Sequence, residues 1–206
     1  MTLPVIEHFG DAWPEHGAMS VRFKAPVYDG EEVEIESHTN ADGRLEVSLA
    51  GGRATGVAWM EHDRRPPALD GYATRPLPPE ADRPSASDAT LAAGTVLGTL
   101  TKTLVVEDAI ARPEALLTLS NELLIRNVVL GPWIHTASEV INFSSVHNVE
   151  TLSVHGSVLE TYERKGRGFI VLDVRSAPAN ESYKVSATRQ SGDFEAHNER
   201  TSYNSA

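Results

Sequence analysis

Pro113-Glu-Ala-Leu-Leu-Thr-Leu-Ser-Asn-Glu-Leu-Leu-Ile-Arg-Asn-Val-Val-Leu130, closed by Gly131-Pro132, is the one long helical signal in a chain otherwise composed of strand-like runs. Pro113 and Glu114 suit a first helical turn, and Gly131-Pro132 cannot continue one. Leu116, Leu117, Leu119, Leu123, Leu124, Val128 and Leu130 cover most of its circumference. A helix apolar on so many sides has to be wrapped, not laid on a surface.

Strands flank it. Gly94-Thr-Val-Leu-Gly-Thr-Leu-Thr-Lys-Thr-Leu-Val-Val-Glu107, rich in β-branched residues, is expected to be a strand before it. Trp133–Phe143, Glu150–Tyr162 and Gly168–Arg175 are expected after it, with a weaker strand over Tyr183–Arg189. The charged, glycine-containing link Glu163-Arg-Lys-Gly-Arg167 is expected to be a hairpin turn. Strand, long helix and antiparallel meander predict an α+β unit in which a sheet curls round the helix.

The N-terminal block repeats this order without the opening strand. A short helix is expected over Leu3–Ala12, then strands over Ala18–Ala25, Glu31–Ser37, Arg44–Leu49 and Arg53–Met60. An offset of 119 residues superposes Val21 on Val140, Val27 on Val146, Glu31 on Glu150, Val33 on Leu152, Ile35 on Val154 and His16 on His135, the pattern of a duplicated domain. Between the blocks, residues 61–93 carry Pro66, Pro67, Pro76, Pro78, Pro79 and Pro84, half of the twelve prolines, and read as an extended connector. The expected division is therefore residues 1–60, a connector over 61–93, a complete unit over 94–190 and a loose polar tail over 191–206.

Composition narrows the partners. The formal net charge of −11 disfavours nucleic acid, whose phosphates are bound chiefly by Lys and Arg. With no cysteine there is neither a disulfide framework nor a thiolate site, and a cytoplasmic setting is expected. No run of about 18 apolar residues occurs, so membrane insertion is not expected. His38, His62, His147, His155 and His197 show no metal-ligand spacing, and no phosphate loop or nucleophile elbow is present, so no metal is expected.

Val21-Arg-Phe-Lys-Ala-Pro-Val-Tyr-Asp-Gly-Glu-Glu-Val33 resembles the strand, Pro-Val, Gly turn and strand of MaoC-like acyl dehydratases. Gly156-Ser-Val-Leu-Glu-Thr-Tyr-Glu-Arg-Lys-Gly166 with Phe169-Ile-Val-Leu-Asp173 is similar to the matching hairpin of their second unit. The resemblance implies a double hot-dog fold whose first unit lacks its opening strand, and an acyl-thioester ligand such as an acyl-CoA, coenzyme A being part of the ligand and not a separate cofactor. It also implies a dyad, an Asp and a His, in a Gly-Asp-x-Asn-Pro-x-His loop before the helix and an Ala-His-Gly helix start. Here that loop reads Glu107-Asp-Ala-Ile-Ala-Arg112, so no catalytic residue transfers by motif.

Hot-dog thioesterases, which the short connection into the helix also resembles, can orient water with an acidic residue on that helix. Glu122 is the carboxylate nearest the middle of the polar stripe Glu114, Thr118, Asn121, Glu122 and Arg126, and is a candidate base. It is equally an i,i+4 partner for Arg126. Trp133 and His135 beyond the helix, with Asn121 on it, could line an acyl channel, with His16 as the first-unit counterpart of His135; His135 could instead make a local hydrogen bond. Two functions stay open: an acyl-CoA thioesterase or hydratase, or a non-catalytic module that binds an acyl thioester or small apolar ligand, or that partners a catalytic subunit. An exposed edge in the shortened unit predicts a homodimer, with the proline-rich segment or a symmetry mate along that edge.

Overall fold

The computed structural model describes residues 1–63, 65–66 and 72–179, together with the backbone of 186–193. Two short helices open the chain, α1 (Leu3–Phe9) and α2 (Trp13–His16), joined by a 3-10 turn over Gly10–Ala12. Strands β1 (Gly17–Phe23), β2 (Ile35–Thr39), β3 (Leu45–Leu49) and β4 (Ala54–Met60) follow. The second block contains β5 (Leu100–Leu104), α3 (Pro113–Asn127), β6 (Ile134–Asn142), β7 (Glu150–Arg164), β8 (Arg167–Pro178) and β9 (Ser186–Asp193).

Most expected elements are present with shifted ends. The first half of Gly94–Glu107 is tied to β7 by backbone bonds at Gly94, Thr95 and Leu97, and regular pairing starts at Leu100. β2 starts at Ile35 and not at Glu31, because Asp29-Gly30 still belongs to a turn in which Glu31 accepts the Tyr28 N–H and pairs with Arg53. Those partners, the backbone N–H foremost, hold the Glu31 carboxyl below its ordinary range. Helix α3 stops at Asn127, before the β-branched pair Val128-Val129. The tail is not loose from residue 191, since β9 runs through Asp193. The start of the weaker strand expected from Tyr183 and the end of the tail, residues 194–206, lie outside the described residues.

All nine strands form one antiparallel sheet in the order β2-β3-β4-β1-β6-β9-β8-β7-β5. Numbered within its own block, the second half runs second, fifth, fourth, third, first from β6 outward. The first half runs second, fifth, fourth, third from β1 outward, with β2 at the free end. The halves meet at the antiparallel seam between β1 and β6, where Ser20 pairs with Glu139. These two residues are 119 positions apart, the offset of the sequence repeat. Equivalent strands paired antiparallel have twofold symmetry only when equivalent residues meet at the centre, so the seam carries the duplication's pseudo-axis.

Burial alternates as a one-sided sheet requires. On the helix side, Leu45 and Val47 of β3, Met19 and Val21 of β1 and Ala58 of β4 pack with Val5 and Trp13. Gly17 is needed there because a Cβ would sit 2.4 Å from the Trp13 ring. In the second half, Leu116, Leu119, Leu123 and Leu124 of α3 are enclosed by Leu100, Leu152, Val154, Ile170 and Leu172. The β7–β8 hairpin turns on Lys165 and Gly166 at φ 54° and 71°, the left-handed pair of a type I′ turn.

The described part of the proline-rich segment does not run along β2. It packs on the second half instead. The Thr99 N–H donates to the Arg75 carbonyl at 2.8 Å, the Val129 N–H to the Pro84 carbonyl at 2.8 Å, and the Ala86 N–H to the Val129 carbonyl at 2.9 Å. Gly98 permits this, since a Cβ there would come within 2.7 Å of the Pro76 carbonyl oxygen. The segment thus holds the residue before β5 and the turn after α3, with the Pro84 carbonyl accepting from Val129 where the proline itself has no N–H to donate.

Candidate functional site

Most polar residues of α3 have a definite partner. Glu114 takes the Thr2 hydroxyl, and Thr118 bonds back to the Glu114 carbonyl at 2.9 Å. Glu122 is paired with Lys102 of β5 and not with Arg126. The helix turns its middle toward β5, so a cation across the groove is nearer than the one a turn further on. Asn121, beside it, accepts a hydrogen bond from the Trp133 indole N–H at 3.1 Å, tying the helix to the segment that leads into β6.

His135 lies on the helix side of the seam. Its Nε2 is 2.9 Å from the Ala137 carbonyl and 2.6 Å from the Ser138 hydroxyl. A carbonyl only accepts, so this geometry assigns the proton to Nε2. In that tautomer the nitrogen facing Ser138 has no lone pair to give, and His135 is not a base for the hydroxyl beside it. Ser138 is itself only 3 % exposed. Burial holds the His135 imidazole below its ordinary pKa, opposed by the bond to Ala137. The ring leans on Phe23 of β1 at 5.2 Å between centroids, so the contact crosses from one unit to the other.

His16 stands at the other end of the seam. Ala18 pairs with Ile141, which places His16 two residues further, eight positions along the strand from His135. At the rise of an extended strand that is about 26 Å. His16 is half-exposed, 3.8 Å from Glu15, with its ring beside that of His62.

The five sequence candidates thus have different partners. Trp133 meets Asn121 of the helix, while His135, two residues further along the chain, meets Phe23 across the seam. Glu122, next to Asn121 on α3, is paired instead with Lys102 of β5. His16 belongs to the far end of the seam. Sequence reading missed Phe23 and Ser138. Their signal is the register in which Val21 faces Ser138, and that register exists only once β1 and β6 have paired.

Among the described residues, the face of the sheet away from the helices includes hollows of about 410 Å³ and 320 Å³, which share Ser20 and Arg22. Glu139, Glu160, His38 and Glu46 line them with Arg22, a charged setting unsuited to an acyl chain. Also on that face is a cluster missed in the sequence: Tyr72 donates to Asp173, which accepts from Arg175 at 2.7 Å, while the Arg175 guanidinium lies over the Tyr72 ring. Tyr72 belongs to the connector, so the cluster clasps that segment onto β8.

Neither the family models nor the curated proteins include a match to this chain. Solved structures do match. A Mycobacterium tuberculosis protein described as having a double hot-dog fold aligns with a TM-score of 0.50 at 14 % identity, over 86 % of this chain and 74 % of that one. The fold is a double hot-dog. An acyl-CoA thioesterase II from Mycobacterium marinum is similar to this double hot-dog, with a TM-score of 0.55 at 10 % identity over 90 % of this chain and 82 % of that one. A thioesterase candidate from Novosphingobium aromaticivorans gives 0.54 at 12 % identity over 87 % and 79 %. At such identities the likeness is one of fold, and the chemistry has to be argued from this chain's own residues. Among the described residues, no helix of the double hot-dog is long and apolar enough to cross a membrane.

Proposed function

We propose that this double hot-dog binds acyl thioesters, of which acyl-CoA is the first to test, and holds them without turnover. The observation that carries the reading is the pair of contacts Phe23–His135 and Trp133–Asn121, which neighbour each other along the chain. It sets aromatic surface and an amide on the helix side of the sheet, where the two units meet. Aromatic walls with a few polar groups suit a ligand with an apolar chain and an amide-bearing arm.

Absence of turnover is supported by how the reactive groups are engaged. A general base must reach the proton it moves. His135 faces Ala137 and Ser138 through a protonated nitrogen, and the Glu122 carboxylate is committed to Lys102. Neither is aligned with the other.

Titration calorimetry with a panel of saturated and 2-enoyl thioesters of coenzyme A, followed by product analysis, tests this. Expected are binding, no hydrolysis or hydration, and affinity reduced about tenfold or more by Trp133→Ala but unchanged by Glu122→Gln. Turnover lost in His135→Ala or Glu122→Gln would show an enzyme instead. No binding across the panel would overturn the reading altogether.

A further inference from the structure

The two units differ in what covers their third strands. In the second, Val146, Leu152 and Val154 are 2 %, 0 % and 0 % exposed, packed under β5 and α3. Their first-unit counterparts at the 119-residue offset, Val27, Val33 and Ile35, are 43 %, 37 % and 38 % exposed. Among the described residues no strand lies beside β2, where β5 lies beside β7. The internal repeat thus marks an unfilled seat whose filled form is present in the same molecule.

The direction of the β2 backbone follows from its partners. The Ala50 N–H donates to the Glu34 carbonyl and the Asn40 N–H to the Arg44 carbonyl, both at 2.9 Å. Antiparallel pairing alternates, so Glu34, Glu36, His38 and Asn40 turn their backbone groups toward β3. Ile35, Ser37 and Thr39 turn theirs to the free edge. Three antiparallel registers bring these outward groups together with more than one residue of β2 overlapping its copy. Centred on residue 36, Glu36 would face its own copy, and like charges directly opposed repel. Centred on residue 38, two imidazoles would meet. Centred on Ser37, each Glu36 faces the other copy's His38 as a non-hydrogen-bonded pair, the closer kind, and Ile35 pairs with Thr39. His38 is already 3.5 Å from Glu46 of β3, so it would sit between two carboxylates.

We propose that a second copy of this chain fills the seat, pairing β2 with β2 antiparallel about a twofold axis at Ser37. The strand is self-complementary in this register, as an isologous interface requires. The pairing covers an edge that would otherwise be open to unspecific addition.

The chain has no cysteine, which makes the test direct. Expected are a dimer by sedimentation velocity and rapid self-crosslinking of Ser37→Cys under mild oxidation, because an opposed hydrogen-bonded pair has the Cα separation a disulfide needs. His38→Cys should crosslink far more slowly. Glu36→Lys should weaken the dimer about tenfold or more, and the exchanged variant Glu36→His with His38→Glu should restore it. Circular dichroism of each variant separates loss of pairing from loss of folding. A monomeric wild type, or a dimer indifferent to Glu36→Lys with no crosslink at Ser37→Cys, would overturn the proposal.

Discussion

Ser20 of β1 faces Glu139 of β6, its own counterpart in the duplicated chain. The seam centred on that pair joins two sheets into one, with buried residues on its helix side. Met19, which is 5 % exposed, lies opposite Val140, also 5 % exposed.

Met19→Ala should therefore destabilise the whole chain by about 2–5 kcal/mol in denaturant melts. Combined with Val140→Ala, the effect should depart from the sum of the two by about 0.5 kcal/mol or more, because the residues are direct cross-strand neighbours. Strict additivity would mean that the two side chains do not pack on one another across the seam.

Asn127 is expected to be the residue whose loss frees the connector. It is 7 % exposed, donates to the Gly98 and Leu123 carbonyls at 3.1 Å and 2.8 Å, and accepts the Gly98 N–H at 2.5 Å. Asn127→Ala strands buried backbone groups, at a cost of about 1–3 kcal/mol for each one left unpaired. Gly98→Ala drives a methyl against the Pro76 backbone. Limited proteolysis should then cut both variants faster within residues 72–86, and unchanged cleavage would separate the connector from this contact.

His135 sets an acid dependence. Its folded pKa is depressed by burial below the unfolded value near 6.5, so its contribution is present above that pH and lost as the pH falls through the lower folded value. Melting temperatures between pH 7.5 and 5 should fall more steeply for the wild type than for His135→Gln. Parallel curves would place the titrating group elsewhere.

Tyr72 sets the opposite limb. Burial first, and the bond to Asp173 second, raise its pKa above 10, so its contribution is present below the unfolded value and lost as the pH rises through the folded one. Tyr72→Phe should cost about 1 kcal/mol at pH 8 and flatten the decline above pH 10. The ratio of wild-type to variant stability between pH 8 and pH 11 reads this directly.

Much of the fold was legible because its signals are local or periodic. The Leu-rich circumference of α3 announces a wrapped helix, the Lys165-Gly166 dipeptide a tight turn, and Val33 with Leu152 or Ile35 with Val154 a repeated strand. The shift of β2 to Ile35 was not legible, because it depends on Arg53, 22 residues beyond Glu31, closing the preceding turn. The candidate site was less legible still. Trp133 meets Asn121 and His135 meets Phe23, whereas Glu122 and His16 each find a charged neighbour that sequence separation hides or makes look incidental.

The sequence by itself determined the wrapped central helix, the duplication with its 119-residue offset and the absence of the dyad loop before α3. These are matters of residue type and spacing along one chain. The tertiary structure decided that Lys102 and not Arg126 neutralises Glu122, that His135 presents a protonated nitrogen to Ser138, and that, among the described residues, β2 ends the sheet while the proline-rich connector packs on the other half. Those outcomes turn on distances of a few ångströms between residues remote in the chain, and only the pairing of strands fixes such distances.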